Sequence, residues 1–184
     1  MIDPLEIIKK YYEPGTRAYR ILLQHSELVA EKAVELAKRN KHLQLDVPFI
    51  KEAALLHDIG IFKVQAPGIG CNGEHPYICH GYLGREILEK EGLPLHALVC
   101  ERHTGVGLSI ADIEKEKMPL PLRDMQPQTY AEKVICLADN FFSKNPAKLH
   151  VEKSVEIIRE EMARFGKEKL LILDTWLHLF GIVK

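Results

Sequence analysis

The sequence predicts an all-α protein, a single helical bundle of about seven to nine helices over residues 1–184. Three observations carry that expectation. Apolar residues recur at helical spacing in almost every ordered stretch. Asp46, Ser109 and Thr129 stand where helix caps belong. No internal repeat, low-complexity tract or long Pro/Gly/Ser linker divides the chain. With 184 residues, 46% of them hydrophobic and 28% charged, one ordinary core can be buried.

Residues Leu5 to Tyr12 form a short amphipathic lead-in, broken by Pro14-Gly15. A long helix from Arg17 to Arg39 follows, striped by His25, Leu28, Val29, Ala33, Leu36 and Ala37. A single histidine at the edge of such a face is more often a satisfied boundary residue than a ligand. Asp46 caps and Pro48 opens the next helix, where Ile50, Ala53, Ala54 and His57 share one face. Asp58 stays near that face, and Gly60 is expected to end the helix. An unpaired carboxylate there would cost roughly several kcal/mol, so it requires a partner. Neutral imidazole beside a carboxylate is a natural start to a divalent-metal site, with the carboxylate able to bridge two ions.

From Ile61 to Pro76 the periodicity dissolves into a surface connection or a loop over a pocket. Its glycines match neither a P-loop nor a dinucleotide fingerprint. Helical spacing returns at Tyr77, with His80, Gly81, Gly84, Leu88 and Glu91 on one face. Glycines inside a helix cost roughly 1 kcal/mol each. Gly81 and Gly84 are therefore expected to admit another helix backbone. Gly92-Leu93-Pro94 ends this element, and the next aligns Leu95, Val99 and His103 before stopping at Thr104-Gly105. Ser109 caps a short helix through Asp112, and Met118 to Pro127, with three prolines, reads as irregular. Thr129 to Glu132 is a capping box for a helix carrying Ala131, Val134, Ile135, Ala138 and Asp139 on one face. Two more helices, Val151 to Phe165 and Lys167 to Phe180, are expected to complete the core within residues 150–182.

Charge and targeting signals narrow the function classes. The formal net charge of -1 has its acids and bases interspersed, which gives no strong nucleic-acid signal and no membrane field. Met1-Ile2-Asp3-Pro4 lacks a basic and apolar leader, so a cytoplasmic protein is expected. The apolar stretch from Leu170 to Val183 falls short of the roughly 20 residues a bilayer span needs. It reads as a core helix or the contact of a homodimer. Cys71, Cys79, Cys100 and Cys136 show no disulfide spacing. Zinc ligation by Cys79 with His75, or Cys100 with His103, is the weaker alternative to small half-buried thiols.

Six candidate ligands lie on the apolar faces of five helices: His25, His57, Asp58, His80, His103 and Asp139. If they converge, four imidazoles and two carboxylates suit two divalent ions sharing a bridging group. Such a nitrogen-rich set favours Fe, Mn, Zn, Co or Ni over Mg.

The order His25, His57-Asp58-Ile59-Gly60, Asp139 resembles the HD-domain (HDIG) superfamily of metal-dependent phosphohydrolases, over roughly residues 20–145. The resemblance implies a bundle holding one metal through His25, His57, Asp58 and Asp139, with His80 and His103 matching the histidines of dinuclear members. It implies hydrolysis of a phosphate ester or anhydride of a small-molecule substrate, a nucleotide, with Asp58 as the bridging catalytic carboxylate. His80-Gly81-Tyr82-Leu83-Gly84, Arg102-His103-Thr104-Gly105 and Leu137-Ala138-Asp139 look like the symmetrical diadenosine tetraphosphate hydrolases. The excursion over residues 110–128 departs from that branch and would alter the pocket rim. The cyclic-dinucleotide branch carries Gly-Tyr-Pro where this chain has Gly105-Val106-Gly107-Leu108, and ranks lower.

Many HDIG sequences place a lysine directly after the glycine, where Ile61 stands here, so Lys63 enters as a candidate phosphate contact beside Arg102 and Thr104. Arg102 reads equally as a structural ion pair, Lys63 as a solvated side chain, and Arg85 as part of a solvated face. Two rival functions share the same ligand set: a di-iron oxygenase, marked by oxygen-dependent turnover, and a non-catalytic nucleotide sensor, marked by binding without product.

Overall fold

Side-chain caps fix most helix starts in the computed structural model, which describes residues 2–183. Asp3 opens α1 (Pro4–Tyr11), and Thr16 accepts from Tyr19 N to open α2 (Arg17–Arg39). Asp46 accepts from Phe49 N at the head of α3 (Val47–Leu56). Then follow α4 (His80–Lys90), α5 (Pro94–Arg102), α6 (Ile110–Lys115), α7 (Tyr130–Asn140), α8 (Val155–Ala163) and α9 (Lys167–Leu179). These nine α-helices among the described residues confirm the all-α expectation. Among the described residues, no helix is long and apolar enough to cross a membrane.

Three boundaries differ from the sequence reading, each for a local reason. α3 ends at Leu56, His57 is its C-cap, and Gly60 lies inside a 3-10 turn over Ile59–Lys63. Gly60 therefore serves a close approach rather than a helix stop. A Cβ built there would lie 2.2 Å from the His80 carbonyl oxygen and 2.5 Å from Gly84 N. The segment after it folds back as a short antiparallel pair, β1 (Gln65–Ala66) against β2 (Cys71–Asn72), too brief to leave a period in the sequence. α8 starts at Val155 because Ser154 caps it.

Two apolar clusters meet along α2, α3 and α5. The larger joins Val29 and Leu36 of α2, Ile50 of α3, Ile135 and Leu137 of α7, Ile158 of α8, and Leu173 and Leu177 of α9. α9 thus buries its apolar face as a core helix. The smaller joins Ile8 of α1, Leu22 of α2, Leu56 and Ile59, Leu88 of α4, and Ala97 and Cys100 of α5. His25 sits on α2 between Leu22 of one cluster and Val29 of the other, at the seam where the ligand-bearing helix ends gather.

The proline-rich excursion is held in place by its own contacts. Leu108 and Met125 exchange backbone hydrogen bonds of 3.3 and 2.9 Å. Arg123 forks onto the buried carboxylate of Glu101, which also accepts from Arg85 at 2.5 Å. Arg85 therefore does not lie on a merely solvated face; it helps to anchor α4 to α5.

Candidate metal centre

Histidines at helix ends can turn one ring nitrogen onto their own chain and present the other to the interior. Three do so here. His57 Nδ1 lies 2.5 Å from Ala54 O, His80 Nδ1 2.7 Å from Tyr77 O, and His103 Nδ1 2.6 Å from Cys100 O. A carbonyl can only accept, so each Nδ1 carries a hydrogen and each Nε2 points inward. Such a bond fixes both tautomer and ring orientation, as metal-ligating histidines require. His25 is held differently: its Nε2 is 2.9 Å from Asp139 Oδ1, and its Nδ1 is buried without a partner.

All six sequence-predicted ligands converge in two groups that share Asp58. One comprises His25, His57, Asp58 and Asp139, the other Asp58, His80 and His103, with ligand atoms in each group within 4.8 Å of one another. Asp58 Oδ2 faces the first group, 3.3 Å from His25 Nε2 and 3.2 Å from His57 Nε2. Its Oδ1 faces the second, 3.4 Å from both His80 Nε2 and His103 Nε2. His57 Nε2 and Asp58 Oδ1 are buried with no hydrogen-bond partner among the described residues. Buried polar atoms left unsatisfied in this way are costly, and a cation would relieve them. Oxygen and imidazole donors with fixed tautomers fit divalent metal ions.

Electrostatics inside the centre follow from burial and from the two carboxylates. Burial holds His25 neutral with its pKa lowered to about 4, assisted by the Lys144 ammonium. Burial and His103 lower His80 to about 3. For His57 burial also acts downward, but Asp58 and Asp139 outweigh it and raise the pKa to about 10. Burial would raise both carboxyl groups, yet Lys144 and the imidazoles hold them well below the usual range.

Lys144 was not found by the sequence reading. Its Nζ lies 2.7 Å from Asp58 Oδ2 and 3.6 Å from Asp139 Oδ1, in the irregular chain after α7. The one available signal was a cation just beyond a helix C-terminus that carries a buried acid. Arg102, in contrast, is committed to Glu132 at 3.0 Å, the ion-pair alternative. Glu132 also accepts from Gln128 N, so the Thr129 capping box is only half formed. Lys63 is half-buried and makes no ion pair among the described residues. Thr104 lines a cleft beside His103. The four thiols are free and buried, and none joins the ligand groups. Two of them brace ligand backbones, Cys100 donating to His57 O at 2.8 Å and Cys136 to His103 O at 3.0 Å.

Residues 22–143 match the HD domain family, a span that includes all six candidate ligands. The chain is 30% identical over 174 residues to a tRNA (cytidine(56)-2'-O)-methyltransferase of Thermoplasma volcanium, covering 94% of this chain but 45% of that protein. It is 36% identical over 149 residues to an uncharacterised protein of Methanocaldococcus jannaschii, covering 79% and 78% of the two chains. In structure it resembles the HD domain of the L. monocytogenes phosphodiesterase PgpH, with a TM-score of 0.54 and 19% identity over 99% of both chains. The same domain has been solved with cyclic-di-AMP. At that identity the likeness shows the fold alone, and it does not reorder the branches weighed from the sequence. With the family match across two thirds of its length and its ligand set gathered as described, the chain belongs to the HD-domain family.

Proposed function

We propose that this chain is a metal-dependent phosphohydrolase that cleaves a phosphate ester or anhydride, with a nucleotide as its substrate. The carrying observation is the split allegiance of Asp58, one oxygen in each ligand group. His25, His57, Asp58 and Asp139 would hold one divalent ion, and Asp58, His80 and His103 a second. Bound there, such ions supply Lewis acidity at phosphoryl oxygens and ease deprotonation of water.

The chain's own residues do the rest. The Nδ1 anchors fix three imidazoles before any ligand arrives, so little reorganisation is required. Burial of His25, His57 and Asp58 keeps bulk water from the inner side of the centre. Asp139 and Lys144, each with a side chain 15% exposed, mark the accessible side. Lys144 Nζ is there the cation placed to meet a phosphoryl oxygen, a role the sequence reading gave to Lys63 and Arg102.

The direct test is metal content of the purified protein together with phosphate release from a nucleotide panel. About two ions per chain with release supports the reading. Two irons with oxygen consumption and no phosphate would favour the oxygenase, and tight nucleotide binding without product the sensor.

Two further outcomes are expected. Metal-free His57, with its pKa near 10, carries a proton at neutral pH, whereas a metal takes the neutral ring. Metal uptake should therefore release about one proton, and apparent affinity should rise with pH through the neutral range. Calorimetry in buffers of different ionisation enthalpy reads this directly; uptake with no proton release would show His57 already neutral. Lys144→Gln should raise KM roughly ten- to a hundredfold, the worth of one charge-assisted hydrogen bond, with metal content unchanged. An unchanged KM would restrict Lys144 to balancing the carboxylates.

A further inference from the structure

A cleft of about 650 Å³ is lined by chain neighbours of two candidate ligands, with none of the six itself in its wall. It starts at Thr104 and Gly105, the residues directly after His103, and at Ile78, two residues before His80. One wall is α6 with the start of the proline-rich excursion, through Asp112 and Met118. The opposite wall is the α8–α9 junction, through Met162, Phe165 and Lys169. Its size falls within the range of about 300–1,000 Å³ typical of small-molecule sites.

The lining combines three kinds of surface. Met118 offers a polarizable thioether that adapts to flat rings, above the buried Met162. Phe165 is 76% exposed, an aromatic face with no ring partner among the described residues. Between them lies an ionic pair: Lys169 Nζ is 2.5 Å from Asp112 Oδ2 and 2.8 Å from Gly107 O. Ser109 bonds to that same Oδ2, so Asp112 Oδ1 is left as a free acceptor among the described residues.

We propose that this cleft receives the nucleoside part of the substrate, with Phe165 as a stacking platform and the Asp112–Lys169 pair meeting the polar edge of the base. The proposal rests on the phosphohydrolase reading for placing the phosphate at the metal centre. An alkyl chain laid in the cleft would strip water from an ion pair and return no hydrogen bond. A sugar phosphate without a base would leave the thioether and the aromatic ring unused. A heterocycle satisfies both surfaces. The excursion over residues 110–128 then acquires a role, as the wall that selects the base, and the Arg123–Glu101 fork positions its far end.

The test measures binding of adenosine, guanosine and uridine to the metal-loaded full chain by calorimetry and saturation-transfer NMR, with ribose 5-phosphate as the baseless control. The nucleosides should bind, and Phe165→Ala should weaken them roughly five- to a hundredfold, the measured worth of base stacking on an aromatic ring. Phe165→Trp should restore binding, and metal content should stay unchanged in both variants. Phe165 is exposed, so neither substitution threatens folding. Failure of every nucleoside to bind, or equal binding by wild type and Phe165→Ala, overturns the proposal even if phosphate is released from baseless esters. Nucleoside binding that depends on Phe165, with no phosphate released from any ester, leaves the cleft standing and removes the hydrolase reading instead.

Discussion

Asp58→Ala should reduce bound metal from about two ions per chain to at most one, weakly held, and lower phosphate release by a factor on the order of 10³ or more. The size of the effect comes from geometry: each ligand group depends on a different oxygen of the same side chain. Without it the first group keeps two imidazoles and Asp139, and the second keeps two imidazoles and no carboxylate at all. Asp58→Asn should fail almost as fully, since it preserves shape but supplies no anion to either ion. His80→Ala makes the informative contrast. It removes a ligand from the second group only, so one ion should remain, with a smaller loss of turnover. Metal analysis and phosphate release, with far-ultraviolet circular dichroism to verify folding, decide the matter. An Asp58→Ala protein that keeps two ions would exclude Asp58 as the bridge.

The helices and the six side chains that converge were legible because both leave periodic traces. A histidine or acid in a leucine position of an amphipathic stripe is visible at once, and six such substitutions on five helices pointed to one interior. Residues outside any stripe were not legible in this way. Lys144 sits in irregular chain after α7, where no period says which way a side chain turns. Arg102 was ambiguous for a related reason. Its neighbour His103 faces the centre, but only tertiary packing puts Glu132 30 residues further along within 3.0 Å of its guanidinium. The cleft was equally hidden, since its two walls are separated by most of α7 and α8 in sequence.

Gly60→Ala should destabilise the protein by about 3 kcal/mol or more, a midpoint shift of roughly 6–12 °C for a chain of this size. Read from sequence, Gly60 looks like a helix terminator, a role in which alanine would cost only about 1–2 kcal/mol. The structure assigns it a different function. Its missing Cβ would stand 2.2 Å from the His80 carbonyl oxygen, 2.5 Å from Gly84 N and 2.9 Å from Gly84 Cα, all backbone atoms. A flexible side chain could swing aside; a helix backbone cannot move without taking its residues along. α4 begins at His80, so relieving the clash must displace that ligand relative to Asp58. Gly60→Ala should therefore lose affinity for the second ion before the first, tying the stability defect to the metal centre. Gly68 provides the control, because a Cβ there meets nothing within 4 Å and its φ is not positive. Gly68→Ala should be neutral or stabilising by up to about 1 kcal/mol, through the reduced entropy of the unfolded chain. Thermal melts of the two variants, with and without added metal, separate the effects. Equal midpoints would mean that α4 yields to a methyl group at Gly60, and the close packing of Gly60 against Gly84 would then not be what holds His80 at Asp58.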